Sequence, residues 1–296
     1  MGKASAKRAT RVKAVTAAGT GSRMATESKR SPASCQSLRV EVRNGIARVA
    51  LARPDVHNAF DERLIAEFTV ALQSIDADAA VRAVVLLGHG ASFCAGADLN
   101  WMKRMARFGR TENLADARAL AAMLHTLNTL SKPTIARVHG AAYGGGVGLV
   151  ACCDIAIAAQ EATFALSEAK LGLIPATISP YVIEAIGARM ARRYFLTAER
   201  FDAAEAGRIG LVHDIVLQGD LDSRIDELLG AIVLAGPQAQ RESKALIRSV
   251  AHRPIDDRVI ADTAARIARV RATPEAKEGV AAFLDKRRAA WVPPRE

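Results

Sequence analysis

Three consecutive glycines, Gly144, Gly145 and Gly146, constrain the fold of this chain more than any other feature of its sequence. They lie between a strand-like run, TIARVHGAAY (134–143), and a short helical run that ends near Asp154. Glycine tolerates backbone angles and close approaches that a β-carbon forbids. A helix that begins at these glycines leaves unpaired N–H groups at the positive end of its dipole, so the stretch predicts a site for negative charge.

A phosphate-binding loop is one interpretation of these glycines. The run from Gly146 to Ala151 fits the G-x-G-x-x-A spacing of a dinucleotide-binding turn, and Glu161 follows the next strand, where a ribose-binding acid would lie. Only about eight residues precede Asp154, which is short for the helix of a strand crossover. A second glycine-containing strand end, ASFCAGADL (91–99), has no role in this interpretation. We therefore do not expect a nucleotide cofactor.

The alternative interpretation uses both glycine-containing strand ends together. One N–H group from the turn at 95–98 and one from the turn at 144–146 can converge on a single oxygen atom. Such an oxyanion hole stabilises negative charge that grows on the oxygen in a transition state. Glu168, on the apolar segment that follows, can then move a proton.

Length and charge limit the class of protein. The chain has 296 residues, half of them hydrophobic, which predicts a large globular core, and no run of about 18 uncharged apolar residues predicts a membrane span. The net charge is +10, but residues 1–30 contain eight Lys or Arg and one acid. We expect residues 1–36 to be a disordered basic leader; a mitochondrial transit peptide or a start at Met24 are alternatives. We expect no nucleic-acid or membrane partner and a cytoplasmic protein, or a mitochondrial matrix protein if the leader is a transit peptide.

Apolar periodicity and turn residues predict the helices and strands. Residues 38–53 contain two alternating apolar runs around Asn44-Gly45, which is a hairpin signal, and Asp61 is the predicted N-cap of an amphipathic helix. Strands are also predicted at 82–90 and 211–217. Further helices are predicted at about 112–131, 178–195, 202–208, 221–234, 237–251, 256–272 and 275–289. Repeated β-turn-β-helix units with a helical tail predict an α/β fold.

Four ordered segments carry a resemblance to a known family. They are VALARPDVHNAF (49–60), SFCAGADL (92–99), VHGAAYGGGVGLVACCDIAIA (138–158) and FALSEAKLGLIP (164–175). Together they resemble the enoyl-CoA hydratase/isomerase (crotonase) superfamily over about residues 37–296. The resemblance implies a crotonase-like spiral of ββα units at 37–205, followed by a C-terminal helical trimerisation region at 206–296.

The resemblance also implies a substrate and a site. The substrate is an acyl-CoA thioester, with coenzyme A as part of the substrate and no separate cofactor or metal, and the protein is a homotrimer or a hexamer. The oxyanion donors fall on the N–H groups of Ala97 and Gly145, and the catalytic acid/base falls on Glu168. The implied substrate-binding residues are Ala95, Ala97, Asp98, Leu99, Tyr143, Gly144 and Gly148. Asp98 is also a candidate cap of the next helix, and Tyr143 either donates a hydrogen bond or packs.

The family's hydratases commonly carry a second glutamate two residues after the glycine triplet, and Gly148 occupies that position here. Two reactions remain open for a single acid. In a hydratase, Glu168 activates water towards C3 and returns a proton to C2; in a Δ3,Δ2-enoyl-CoA isomerase, it shuttles a proton between C2 and C4. A weaker alternative is an RNA- or acyl-CoA-binding protein without turnover.

The flanking sequence favours hydration. ADLNWMKRM (97–105) and the segment around Glu168 resemble bacterial methylglutaconyl-CoA hydratases of leucine degradation, a branch that also has glycine after the triplet. The expected reaction is reversible hydration of 3-methylglutaconyl-CoA, and Gly148 is expected to leave room for bulk at C3. The candidate cations for the distal carboxylate of this substrate, or for coenzyme A phosphates, are Lys103, Arg104 and Lys170.

The remaining titratable residues near these segments are interpreted as structural. His57, His89 and His139 have no serine or acid at a spacing that suggests a catalytic triad. Asp154 is expected to begin a strand. The four cysteines, at positions 35, 94, 152 and 153, lack metal-binding spacing and are expected to be reduced and mostly buried.

Overall fold

The computed structural model describes residues 29–30 and 36–293. Most of the predicted basic leader, including Cys35, lies outside the described residues. Lys29–Arg30 form a short edge strand that pairs antiparallel with the first strand of the predicted hairpin. At these two residues the structure differs from the prediction of a disordered leader.

Strands and helices alternate along most of the chain. The strands are β1 (Lys29–Arg30), β2 (Leu38–Arg43), β3 (Ile46–Leu51), β4 (Ala83–Gly88), β5 (Thr134–Val138), β6 (Ala141–Tyr143), β7 (Ile155–Ala159), β8 (Thr163–Ala165), β9 (Arg200–Asp202) and β10 (Asp214–Val216). The helices are α1 (Glu62–Ala77), α2 (Leu99–Met105), α3 (Arg110–Thr129), α4 (Gly145–Cys152), α5 (Ser179–Thr197), α6 (Ala203–Arg208), α7 (Leu221–Leu234), α8 (Pro237–Val250), α9 (Asp257–Arg271) and α10 (Pro274–Leu284). Short 3-10 turns span Pro54–Val56, Ser167–Leu171 and Gln218–Asp220.

Local sequence signals form the first hairpin and helix as predicted. Asn44 and Gly45 both have positive φ, +51° and +76°, which suits a tight turn between β2 and β3. The Asp61 carboxylate accepts a hydrogen bond from Leu64 N and caps α1. The predicted hairpin and N-cap are therefore confirmed.

One large sheet forms the centre of the fold. Its order is β1-β2-β3-β4-β5-β7-β10, and its strands from β3 onward run parallel. Strand β4 is buried on both faces, as its continuous apolar sequence predicts. Val84 and Leu86 belong to the main core that also contains the apolar face of α1, whereas Ala83 and Val85 pack in a second cluster with α7.

A second, smaller layer contains the short strands β6, β8 and β9. Isolated bridges extend it on one side, because Cys94 pairs with Ala142 and Phe60 pairs with Ala97. Each turn of the chain thus places one strand in the large sheet, one short extended segment in the second layer, and then a helix. This arrangement confirms the predicted ββα units, and it brings both glycine-containing segments side by side in the second layer.

The C-terminal helical region begins later than predicted. Strand β10 joins the large sheet by parallel pairing with β7, with Asp214 opposite Ile157, and α7 covers the sheet with Leu221, Ile225 and Leu229. The predicted boundary at 205/206 is therefore wrong, because the segment after it returns to the sheet. Among the helices of the described residues, α8, α9 and α10 are those that contribute no residue to either buried cluster.

The Asp154 carboxylate ties α8 to the core. Its Oδ2 accepts hydrogen bonds from Thr134 N at 2.7 Å and from Lys244 Nζ at 2.6 Å. The structural role predicted for Asp154 is confirmed by these contacts. In the part of the chain that the structure describes, no helix combines the length and apolar character that a membrane crossing requires.

Candidate active site

Phe60 holds the segment that follows β4. Phe60 N donates to Gly96 O at 2.7 Å, and Asp98 N donates to Phe60 O at 2.8 Å. In this parallel pairing the intervening residue, Ala97, directs its own N–H away from Phe60. Among residues 36–293 the Ala97 amide has no hydrogen-bond acceptor, and Ala97 is exposed. The backbone presents one free N–H group here.

The second free N–H group belongs to Gly145, the first residue of α4. A first helical residue has no acceptor within its own helix, and the described chain supplies none from elsewhere. Gly144, before it, has a φ of +50°, a conformation that other residues rarely adopt. An added β-carbon would lie 2.6 Å from Phe60 Cε2 at Gly145 and 2.2 Å from Cys94 O at Gly146. The glycine triplet is therefore required by backbone angle and by space.

The two free amides lie on segments in direct contact. Phe60 touches both, since its backbone brackets Ala97 and its ring lies against Gly145. A β-carbon added at Gly96 would be 3.0 Å from Tyr143 O, so these backbones leave no space for side chains. The fold thus places the predicted oxyanion donors Ala97 and Gly145 on adjacent segments, and no group among the described residues accepts a hydrogen bond from either N–H.

Glu168 lies beside the same glycines, in the 3-10 turn Ser167–Leu171. Its Oε1 would be 3.1 Å from a β-carbon added at Gly144, while its Oε2 is buried and has no hydrogen-bond partner in the described structure. Burial raises the pKa of the Glu168 carboxyl above its ordinary value, and the bond from its own backbone N–H offsets this only in part. A carboxyl with a raised pKa and an unused oxygen is suited to receive and return a proton.

Gly148 does not border an open space. A β-carbon added there would lie 2.3 Å from Ile178 Cγ2, and Ile178 itself is 2% exposed. The expectation that Gly148 leaves room for bulk at C3 of a substrate is therefore wrong, because Ile178 fills the space beside it. An apolar side chain stands where the family's second acid would project.

The Asp98 carboxylate is buried and bonded to other protein groups. It is 4% exposed, accepts a hydrogen bond from Asn100 N at 2.7 Å as the cap of α2, and pairs with Arg53 at 3.0 Å. Its predicted capping role is confirmed, and its carboxylate is buried and bonded to these protein groups. Ala95 donates its N–H to His57 O at 2.9 Å, and Leu99 is 74% exposed at the start of α2.

Tyr143 packs and bonds within the second layer. Its hydroxyl is 3.0 Å from Thr163 Oγ1, and the Arg200 guanidinium lies 5.1 Å from the centre of its ring. Of the two alternatives for Tyr143, packing with an internal hydrogen bond is the one observed. These contacts hold the end of β6, next to Gly144.

One of the three candidate cations is already paired. Arg104 donates to both carboxylate oxygens of Glu62, at 2.8 and 2.7 Å. Lys103 and Lys170 are exposed and form no ion pair within residues 36–293. These two lysines remain available to an anionic ligand.

The histidines are structural, with one contact that the sequence did not predict. His57 Nδ1 lies 3.0 Å from Ser92 Oγ, a contact that the spacing of the two residues in the sequence did not indicate. The two residues are 35 positions apart and meet only because the turn after β3 packs on the loop after β4. His139 Nε2 bonds Gly90 O at 2.8 Å, and the backbone carbonyl of His89 accepts from the Asn58 amide.

The cysteines within the described residues are free and buried, as predicted. Burial raises the pKa of the Cys94 and Cys153 thiols to about 12, so both are protonated at neutral pH. The thiol of Cys152 also has a pKa raised well above its ordinary value by burial. None of these thiols is a nucleophile in its present environment.

Two free backbone amides beside one partly buried carboxyl, on a spiral of ββα units, define an enzyme that stabilises negative charge on a substrate oxygen. The family model described as enoyl-CoA hydratase/isomerase matches residues 41–293. The crystal structure of an enoyl-CoA hydratase from Shewanella pealeana has a TM-score of 0.85 and 44% identity, covering 87% of this chain and 97% of that chain. A crotonyl-CoA hydratase from Syntrophomonas wolfei is 32% identical over 87% of this chain and 98% of its own length.

A third relative, the crystal structure of an enoyl-CoA hydratase from Mycobacterium smegmatis, has a TM-score of 0.81 and 34% identity, covering 86% of this chain and 98% of that chain. The chain therefore belongs to the enoyl-CoA hydratase/isomerase family. Its crotonase-type fold and its C-terminal helices are those that the sequence resemblance implied.

We predict that Gly148→Ala destabilises the protein. The close contact with Ile178 should cost roughly 1–3 kcal/mol in the free energy of unfolding, and the better helix propensity of alanine returns at most about 1 kcal/mol. Gly230→Ala is the matched control, because a β-carbon there meets no atom within 4 Å in the middle of α7, and it should stabilise. Urea unfolding measures both.

The same contact predicts coupling between two positions. Ile178→Ala removes the Cγ2 atom that a β-carbon at 148 would strike, so the double variant should lose less stability than the sum of the single variants. Costs that add to within about 0.5 kcal/mol would show that the two residues do not touch.

We predict that Glu168→Gln raises thermal stability at pH 8. Because the folded-state pKa of Glu168 is raised, the folded protein holds this proton more tightly than the unfolded chain. Stability therefore falls as pH rises through the range between the two pKa values and stays lower above it. The melting temperature of the variant should exceed that of the wild type at pH 8, and the difference should vanish below about pH 4, where both states are protonated.

The exposed Glu161→Gln is the control for this measurement and should show no such pH-dependent gain. A Glu168→Gln protein that melts below the wild type at pH 8 would contradict the placement of an unpartnered buried carboxylate.

Proposed function

We propose that this enzyme catalyses the reversible hydration of an α,β-unsaturated acyl-CoA, and that its substrate is 3-methylglutaconyl-CoA. The observation that carries the proposal is the half-buried Glu168, with an unpartnered oxygen, beside the free amides of Ala97 and Gly145. The matching family and the relatives named as hydratases support the reaction class.

The two amides act on the thioester carbonyl oxygen. When a nucleophile adds to C3 of an unsaturated thioester, the electrons of the double bond move towards this oxygen and make an enolate. Two N–H donors fixed before the reaction stabilise that charge without reorganisation, which lowers the barrier more than it lowers the energy of the bound substrate. The positive end of α4 adds to this stabilisation at Gly145.

Glu168 accounts for the proton. As the water oxygen bonds to C3, one water proton passes to the Glu168 carboxylate. The enolate then collapses, and the same carboxyl delivers a proton to C2, which gives the 3-hydroxyacyl-CoA and returns Glu168 to its starting state. The raised pKa of Glu168 favours both transfers, because it brings the acid closer to the pH at which the enzyme works.

The choice of substrate rests on charge around the site. Ile178 occupies the place of a second acid beside Gly148, so no carboxylate from that position repels a substrate that carries its own distal carboxylate. Lys103 and Lys170 flank the oxyanion segment and Glu168 in sequence and have no protein partner within the described chain. Either lysine supplies a cation for that carboxylate.

A Δ3,Δ2-enoyl-CoA isomerase is the second candidate. It is favoured by the single carboxyl beside the glycines, since a shuttle between C2 and C4 needs one group that alternately accepts and donates a proton. The isomerase needs no water at C3, so the two candidates differ in product and not in the oxyanion hole.

We also propose that the chain assembles as a trimer or a hexamer. Helices α8, α9 and α10 bury only Val259 and Ala282 among their residues. By contrast, Phe283 on α10 is 82% exposed, and Ile255, between α8 and α9, is 87% exposed. Apolar surface of this extent on helices that stand apart from the core suits contact with further copies of the chain.

We predict that purified protein hydrates 3-methylglutaconyl-CoA faster than it isomerises a 3-enoyl-CoA of similar length. Glu168→Gln should lower kcat by roughly 100-fold or more, because general acid–base catalysis contributes about that much. Product analysis by mass spectrometry separates addition of water from movement of the double bond. Dominant isomerisation would replace the hydratase proposal with the second candidate, and full activity of Glu168→Gln would refute the role of Glu168 in either.

We predict that light scattering finds a mass of three or six chains for the wild type. Phe283→Asp places a charge on the exposed apolar surface of α10 and should lower this mass. Val70→Asp is the control, because Val70 is 62% exposed on α1, away from α8–α10, and should leave the mass unchanged. A monomeric wild type would refute the assembly.

A further inference from the structure

One guanidinium joins two turns of the fold next to the oxyanion hole. Arg53 Nη2 lies 2.9 Å from Asp61 Oδ2 and 3.0 Å from Asp98 Oδ2, and Nη1 donates to Ala59 O. The Arg53 side chain is 19% exposed and Asp98 only 5%, so these ion pairs are better shielded from water than ordinary surface pairs.

The carboxylates of Asp61 and Asp98 lie next to the bridge that orients the Ala97 amide. Phe60 and Ala97 face each other across the parallel bridge, and Asp61 and Asp98 are the residues that directly follow them. A single guanidinium therefore fixes the register of the pairing that turns the Ala97 N–H outward. It adds a side-chain link to the backbone hydrogen bonds that Phe60 forms with Gly96 and Asp98.

Asp98 is held firmly enough to transmit this constraint. Burial alone would raise the pKa of Asp98, but the N–H groups of Trp101 and Asn100 and the Arg53 guanidinium outweigh burial and lower it. The carboxylate is therefore charged at neutral pH and bonded on both sides. A displacement of Arg53 would move Asp98, and with it the amide of the preceding residue, Ala97.

We infer that Arg53 is a positioning residue for the oxyanion hole, acting through Asp98 on the Ala97 amide, and that it makes no contact with the substrate. The inference rests on the proposed function, in which this amide holds the thioester oxygen. A displacement of about 1 Å in a catalytic group lowers the rate by up to about 100-fold. Because the Ala97 amide acts on the transition state, loss of Arg53 should lower kcat and leave KM nearly unchanged.

The test compares Arg53→Met and Arg53→Lys with Arg137→Met. Arg137 is a matched control because it is 15% exposed and forms a two-point contact with Asp222, outside the site. Each full-length variant is assayed for kcat and KM with the thioester that the wild type turns over. The absorbance shift of bound 4-(dimethylamino)cinnamoyl-CoA is measured in parallel, because it reports the pull of the N–H donors on the carbonyl oxygen.

We expect Arg53→Met to lower kcat by roughly 10- to 100-fold with KM within about 3-fold of the wild type, and to reduce the red shift of the bound probe. Arg53→Lys should recover part of both, since an ammonium reaches one carboxylate but cannot reproduce the fork. Arg137→Met should change neither. A normal kcat and a normal red shift in Arg53→Met would overturn the inference.

If Arg53→Met does not fold, Asp98→Asn tests the same inference. Asparagine still caps α2 but weakens the pairing with Arg53, so the red shift and kcat should fall together in a folded protein. An Asp98→Asn protein with wild-type kcat and red shift would equally overturn the inference. A wild-type protein that shifts the absorbance of no thioester would instead refute the proposed function, which separates the two failures.

Discussion

The contact of Phe60 with both halves of the oxyanion hole is the constraint on which the site depends. Its backbone pairs with Gly96 and Asp98 and so leaves the Ala97 amide unpaired, while its ring lies where a side chain of residue 145 would be. Position 145 therefore requires glycine because the Phe60 ring occupies the space that a β-carbon would need. One buried residue in the first turn of the spiral sets the distance between amides from the second and third turns.

Glu168 lowers the stability of the folded protein. A buried carboxylate oxygen without a partner opposes folding at neutral pH, and an uncharged side chain of the same shape would avoid the penalty. The carboxyl lies beside the Gly144 backbone, which has a positive φ, so the penalty is incurred next to the two free amides. A backbone with positive φ and an unpartnered acid therefore lie together beside the two free amides, where the proposed reaction would use them.

Local signals in the sequence were sufficient for the first hairpin and the first helix, but α2 and β9 were not predicted from them. The site residues were predicted from the resemblance to a family. The Asn44-Gly45 turn and the Asp61 cap act within a few residues, so their sequence patterns carry the information. The pairings of β10 with β7 and of His57 with Ser92 join distant segments, and nothing in either segment alone specifies its partner. The contact between Gly148 and Ile178 was not predicted for the same reason. A glycine indicates that a neighbouring group needs the space, but it does not indicate which side chain fills it.

The contact between Gly148 and Ile178 also bears on the absence of a second glutamate at position 148. Gly148 and Ile178 fit each other as a small residue and a large one, so the family's second glutamate is not simply deleted but replaced by core packing from the start of α5. A glutamate introduced at 148 alone would meet Ile178 before it reached a substrate. Restoring a two-acid site therefore requires at least two substitutions, one on α4 and one at the N-terminus of α5. In the proposed function, the use of a single acid thus follows from hydrophobic packing between α4 and the start of α5, and not from one exchangeable side chain.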